Sequence, residues 1–351
     1  MIFSQRWTML LVSVGIFLSL RCPAQAPTPP YPFSTLITGI DFHFSTIRSA
    51  AKGSDIWPVT WAADNEIYTA WGDGNGFSSP KKVSWGVANL EGSPTQWKGT
   101  DIFYGPSGTD KGKISGLLAI GNILYGWKNT QNKKYPLCDF RLIRSNDRGR
   151  SWTDMPVVFG AKGFKPVSFV NFGPGYENAK DDYVYIAGFK IGEPPHHIYL
   201  ARVKTSQIEK LAAYEYLKGI GDDNRPIWSS DAAALSPVFT DKGEGNSFPV
   251  IIYNAGLHRY ILTDCHGYAG QIGIFEGPQP WGPWKTVYYD DHWGNLKKGE
   301  YLGFEFPNKW ASPDGTQLGM VFSVYGSNND NWNDACNIIT VTLTTSKNSS
   351  R

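Results

Sequence analysis

The sequence predicts an all-β chain, a single five-bladed β-propeller closed by pairing of its N- and C-terminal strands. Three observations lead there. Short alternating apolar runs lie between turn clusters in a 351-residue chain with 38 glycines, 23 prolines and 14 tryptophans, a pattern of many strands rather than ordinary helices. A four-strand unit recurs roughly once per 50 to 70 residues, the spacing of a propeller blade. The last unit is one strand short, and a spare strand-like run stands near the N-terminus.

Residues 1–26 carry Arg6, an apolar stretch over 9–20 and the small-residue site Ala24-Gln25-Ala26, which together read as a secretory signal peptide. A secreted or periplasmic location follows, with the mature chain starting at Pro27. The apolar stretch is short for a span and no second one follows, so no membrane partner is expected after cleavage. Arg21 before Cys22 does not suit a lipoprotein site. Residues 27–35 are a proline-rich extended lead-in, 36–344 the propeller and 345–351 a disordered tail.

The first blade is expected at 53–77 (GSDIWPVTWAADNEIYTAWGDGNGF), 83–90 and 97–104. The second is expected at 114–120, 123–127, 140–145 and 151–158. The third takes 167–172, 183–189 and 198–203, then a short helix at 206–217, with Ser206 and Glu209 spaced as a capping box, and a strand near Trp228 or Val238. The fourth takes 250–254, 259–263, 272–275 and 286–289; the fifth, 304–310, 317–325 and 337–344. The run at 36–48 then supplies the missing strand by pairing with 337–344.

Composition narrows the function. The formal charge is +2, with Arg6 and Arg21 inside the leader, so the mature chain is neutral and lacks the basic surface that nucleic-acid binding demands. A chain that is 41% hydrophobic can bury a core without metal or disulfide help, and no cofactor or metal is expected. Cys138, Cys265 and Cys336 remain after export, enough for one disulfide of undetermined pairing. His196 and His197 are adjacent and point to opposite strand faces; Cys265-His266 lacks zinc spacing; and no G-x-S-x-G elbow is present. Gly72-Asp73-Gly74-Asn75-Gly76 is followed by no helix start with Lys-Ser/Thr, which argues against a phosphate loop.

Ser145 to Trp152 (SNDRGRSW) fits the S-x-D-x-G-x-x-W Asp-box, a hairpin-turn motif in which Asp147 is expected to be structural. The chemistry is expected on the first hairpin. Asp55 opens its first strand and Asp73 lies just past the second, so the turn brings both to one sheet edge. Asp55 is expected as base or nucleophile and Asp73 as general acid, its pKa raised by Trp71, Phe77 or the Asp55 charge, with the exchanged roles as the alternative. Trp57, Val59 and Trp61 alternate on one face; Trp57 and Trp71 are candidate sugar platforms, and core packing is the competing role. Tyr253, Asn254 and His258 are candidates for hydrogen bonds to sugar hydroxyls. Asp231, Glu276 and Glu305 are reserve acids.

The stretches GSDIWPVTW with AWGDG, YEYLKG with IWSSD, YNAGLHRYIL and GPQPWGPW together resemble the domain-of-unknown-function 4185 family. That resemblance implies a five-bladed propeller similar to glycoside hydrolases that cleave furanosides, part of the family being endo-D-arabinanases. It also implies a cleft with an acidic pair in the first blade, matched here by Asp55 and Asp73. The expected function is secreted hydrolysis of a furanose-containing glycan such as an arabinan, by a monomer whose partner is a polysaccharide or oligosaccharide. The alternative is a non-catalytic glycan-binding propeller.

Overall fold

The computed structural model describes residues 27–108, 111–130, 139–160, 163–242, 246–266, 272–296, 301–326 and 332–346. The leader and Cys138 lie outside them. Among the described residues every regular element is a strand or a single 3-10 turn, and central strands such as Ile67–Gly74 and Ile272–Gly277 are buried on both faces.

After β1 (Ile37–Phe42) and β2 (Arg48–Ala50), blade 1 is formed by β3 (Asp55–Trp61), β4 (Ile67–Gly74), β5 (Val83–Ser93) and β6 (Gln96–Tyr104). Blade 2 is formed by β7 (Lys113–Ile120), β8 (Ile123–Asn129), β9 (Phe140–Ser145) and β10 (Thr153–Phe159). Blade 3 holds β11 (Phe164–Phe169), β12 (Tyr183–Lys190), β13 (His197–Lys204), β14 (Glu215–Ile220), β15 (Pro226–Ser229) and β16 (Pro237–Thr240). Blade 4 is β17 (Asn246–Asn254), β18 (Arg259–His266), β19 (Ile272–Gly277) and β20 (Lys285–Asp290). Blade 5 runs β21 (Tyr301–Glu305), β22 (Gln317–Tyr325), β23 (Cys336–Thr345) and then β1, which pairs antiparallel with β23 in the register Ile40 to Leu343 and Phe42 to Val341. The N-terminal strand thus completes the last blade.

Innermost strands β3, β7, β11, β17 and β21 contact one another around the hub. Polar groups stitch neighbouring blades there. The Ala119 N–H donates to Thr60 Oγ1 (2.9 Å), the Thr60 hydroxyl to Asn171 Oδ1 (2.8 Å), the Ser168 hydroxyl to the Pro249 carbonyl (2.6 Å) and the Thr263 hydroxyl to the Phe304 carbonyl (3.2 Å). The Val59 N–H donates to Glu305 Oε2 at 3.0 Å, linking the first blade to the last. Between the sheets lie apolar clusters: Trp57, Trp71, Val321 and Ile338 between blades 1 and 5, for example, and Ile252, Ile274, Phe322 and Ile339 between blades 4 and 5.

Two local expectations are corrected. The helix at 206–217 is instead two 3-10 turns, 205–207 and 211–213, followed by β14. Tertiary contacts override the capping pattern, because Glu209 pairs with Arg144 (2.6 Å) and accepts from the Tyr125 hydroxyl, while the Tyr214 hydroxyl donates to the Ile208 carbonyl. The run at 304–310 breaks at Glu305; residues 308–310 form a turn, and the Trp310 indole N–H donates to the Gly92 carbonyl. In the β9–β10 turn, Asp147 accepts from the Ser151 N–H and hydroxyl, and the Trp152 indole N–H donates to the Gly149 carbonyl.

The lead-in is docked on blade 4. Thr286 and Tyr31 exchange contacts there, and the Ser34 hydroxyl donates to Glu276 Oε1. Removing residues 27–48 would strip both this clamp and the strand on β23. Such a protein is expected to melt at least about 10 °C lower in calorimetry; an unchanged Tm would show that the ring does not need its N-terminal strand.

Candidate functional site

A cavity of about 510 Å³ opens at the hub, between blades 1, 2, 4 and 5. Asp55, Ile56 and Trp57 of β3 line it, with Asp73 of β4, Lys113 and Ser115 of β7, Asn129 of β8, Phe248 and Val250 of β17, Glu305 of β21, and Ser323 and Tyr325 of β22. The first hairpin therefore delivers both of its predicted acids to one place. Asp55 pairs with Gly72 across the β3–β4 ladder, which puts Asp73 one residue further along the edge.

The glycine at 72 has a packing reason. A Cβ there would fall 2.6 Å from Asp55 Oδ1 and 2.8 Å from Lys113 Cδ, so only glycine lets both charged side chains close over this strand.

The cavity wall is strained. Ile56, Trp57, Asp73 and Phe248 all have left-handed backbone, with φ of +78°, +65°, +48° and +47°. Such non-glycine conformations cost about 1–3 kcal/mol each and tend to gather at working sites. In β3 the strain coincides with a register shift between Ile56 and Val59. Beside this shift Ile56 lines the cavity, and the Val59 N–H on the strand's hub edge donates to Glu305.

Three carboxyl groups line the cavity in three different settings. Asp55 is pushed up to about 7, first by burial and then by the Asp73 and Asp334 charges, with Lys113 opposing; its Oδ1 is buried and has no hydrogen-bond partner within the protein. Asp73 forms an ion pair with Lys113, whose ammonium also donates to the Ser84 carbonyl at 3.1 Å. Glu305 is pushed up to about 8 by burial, with the Val59 N–H opposing. Two protonatable carboxyls and one ion-paired carboxylate thus face a common space.

This favours the exchanged division of labour between the two acids. Burial and neighbouring charge favour the protonated form of Asp55, and Asp73 is held in an ion pair by Lys113. Sequence reading did not find Lys113, which reaches Asp73 from another blade. The only trace in the sequence is a polar residue inside an otherwise apolar strand, as at Lys113 and Ser115 in KISGLLAI and Ser323 in QLGMVFSVY.

The other candidates separate. Trp57 lines the cavity, its indole N–H bonded to the Ser54 carbonyl at 3.1 Å. Trp71 is core: it stacks behind Trp57 with ring centroids 6.0 Å apart and does not line the cavity. Tyr253, Asn254 and His258 lie at the opposite end of β17 from Phe248. There the Asn254 amide holds the Gly315 carbonyl and the Leu257 N–H, His258 Nδ1 contacts the Tyr253 hydroxyl, and the Tyr253 ring stacks on Phe172. They stabilise a hairpin turn and its packing. Asp231 caps the 232–234 turn through the Ala233 N–H, and Glu276 binds Ser34 and Arg259. Of the reserve acids only Glu305 reaches the cavity.

No curated protein matches the sequence. Among solved structures, the chain is similar to a candidate hydrolase from Bacteroides ovatus, with 12% identity over 84% of this chain and 87% of that one and a TM-score of 0.57. A GH43_1 enzyme from Xanthomonas citri aligns with 11% identity over 86% and 91% of the two chains at a TM-score of 0.47. At such identities the likeness to the Bacteroides ovatus structure shows a shared fold. The family described as a domain of unknown function, 4185, matches residues 125–332, a stretch that contains Glu305 but stops short of Asp55 and Asp73. Because this match spans more than half of the chain, the protein belongs to the domain-of-unknown-function 4185 family.

Proposed function

We propose that the protein is an exported glycoside hydrolase that cleaves a furanose-containing glycan such as an arabinan. The observation that carries this reading is the pairing, in one cavity, of a carboxyl that keeps its proton to about pH 7 with an ion-paired carboxylate. Glycoside hydrolysis asks for these two states at once: an acid to protonate the leaving oxygen, and a carboxylate to activate water or attack the anomeric carbon. In this assignment Asp55 gives its proton to the departing glycosidic oxygen as the C–O bond breaks. Asp73, oriented by Lys113, either accepts the proton of the water that attacks the anomeric carbon or bonds to that carbon, in which case water, giving its proton to Asp55, then cleaves the ester. The resemblance to the domain-of-unknown-function 4185 family, part of which is classed as endo-D-arabinanases, supports the furanose substrate.

Reducing ends released from arabinan, arabinogalactan and other plant and bacterial glycans test the activity. Asp55→Asn and Asp73→Asn keep the side-chain shape and are each expected to lower kcat at least about a hundredfold with the fold intact. Normal rates in both variants would remove the pair from the chemistry. Binding without released ends in the unsubstituted protein would favour the glycan-binding alternative.

The pH profile separates the roles. With Asp55 as acid, kcat/KM should fall as pH rises through about 7, since the reactive form is the protonated one. A rate that instead climbs through that range would make Asp55 the base.

Stability carries the same signature with a defined sign. The folded pKa values of Asp55 and Glu305 are raised, so their contribution is fully present below the unfolded values near 4. It is lost as pH rises towards about 7 and about 8. Asp55→Asn and Glu305→Gln are therefore expected to melt above the parent protein at pH 8, with the gap closing at pH 4. A gap of the opposite sign at pH 8 would contradict the burial of protonated carboxyls.

A further inference from the structure

Four polar side-chain atoms around the cavity have no hydrogen-bond partner within the protein: Asp55 Oδ1, Ser115 Oγ, Asn129 Oδ1 and Ser323 Oγ. Buried polar atoms nearly always have partners, so four orphans on one cavity point to a ligand that supplies them. Their placement is built in. Ser115 sits where the β7–β8 register shifts between Ile114 and Gly116, a bulge that re-aims a side chain. Asn129 ends β8 opposite Lys113, and Ser323 lies opposite Gly303 on β22.

Charge adds a second constraint. Among the described residues that line the cavity, Lys113 is the only cation, and Asp73 and the Ser84 carbonyl already engage it. Asp55 and Glu305 share the same wall. An anionic sugar would find no cation there beyond the already engaged Lys113, and a charge left unbalanced in the cavity costs affinity by desolvation.

We propose that Ser115 and Asn129 of blade 2 and Ser323 of blade 5 form a hydroxyl-binding subsite beside Asp55, which selects an uncharged, hydroxyl-bearing sugar unit and rejects uronate, sialate and phosphorylated sugars. The inference rests on the glycosidase reading for its ligand class, but it concerns recognition and can stand without turnover. Each of the three side chains offers a hydroxyl or a carbonyl oxygen, and each can pair with a sugar hydroxyl acting as donor.

The test is calorimetric titration of arabinotriose, xylotriose, galactotriose and trigalacturonate into the full chain carrying Asp55→Asn, which slows turnover and keeps the Lys113–Asp73 pair. The titrations are repeated with Ser115→Ala, Asn129→Ala or Ser323→Ala added. At least one neutral trisaccharide should bind, trigalacturonate at least about tenfold more weakly. Each added substitution should weaken the neutral ligand about 5- to 10-fold with Tm unchanged within about 2 °C. Failure of every neutral trisaccharide to bind, trigalacturonate binding as tight as the neutral sugars, or full affinity in all three substituted proteins would overturn the subsite. Reducing-end release by the unsubstituted chain is scored separately. Binding that responds to the three substitutions without any release upholds the subsite and refutes hydrolysis, whereas release with an unresponsive KM does the reverse.

Discussion

The hydrogen bond from the Val59 N–H to the Glu305 carboxyl joins the first blade to the last at the point where the ring must close. Five antiparallel sheets cannot bury both faces unless each finds a neighbour, so the circle is a condition of the fold. At the rim β1 meets this condition by pairing with β23; at the hub Glu305 meets it by reaching the Val59 N–H on the edge of the innermost strand β3. Closure and the candidate site are therefore one arrangement. The residue that fastens blade 5 to blade 1 is also a wall of the cavity.

That arrangement explains where the molecule tolerates unfavourable local states. Left-handed backbone at Ile56 and Trp57 and buried carboxyls at Asp55 and Glu305 all oppose folding locally. They persist because the surroundings over-determine them. Trp57 is clamped between Trp71 and Phe77, with ring centroids 6.0 and 5.4 Å away, and the Gly53 and Ser54 N–H groups donate to the Asp334 carbonyl of blade 5. Packing at the blade interface thus offsets strain at the hub, and the cavity keeps groups that a purely structural core would replace with apolar side chains.

What was legible in the sequence follows from what is local. The period-two runs and turn clusters located the blades, and the missing strand of the fifth pointed to the N-terminus. Asp55 and Asp73 could be brought together because a hairpin fixes its own register. Lys113, Ser115 and Ser323 could not be assigned, since their proximity to Asp55 depends on how separate sheets pack around an axis. Residue types alone could not divide Trp57 and Trp71 between cavity wall and core, the two roles open to both. Tyr253, Asn254 and His258 resembled the first hairpin closely enough to suggest the same role, but they occupy the far end of their strand. The capping pattern at Ser206 gave way to the tertiary demand of Arg144 and Tyr125 on Glu209.

The central claim is that the cavity holds an aspartic acid whose proton stays on to neutral pH beside an ion-paired carboxylate. It is tested most directly by carboxyl ¹³C NMR titration of protein labelled at aspartate, compared with Asp55→Asn. The account predicts one aspartate resonance titrating with an apparent pKa near 7, absent from the substituted protein. A wild-type spectrum in which the Asp55 carboxyl titrates at the ordinary aspartate value near 4 would contradict it.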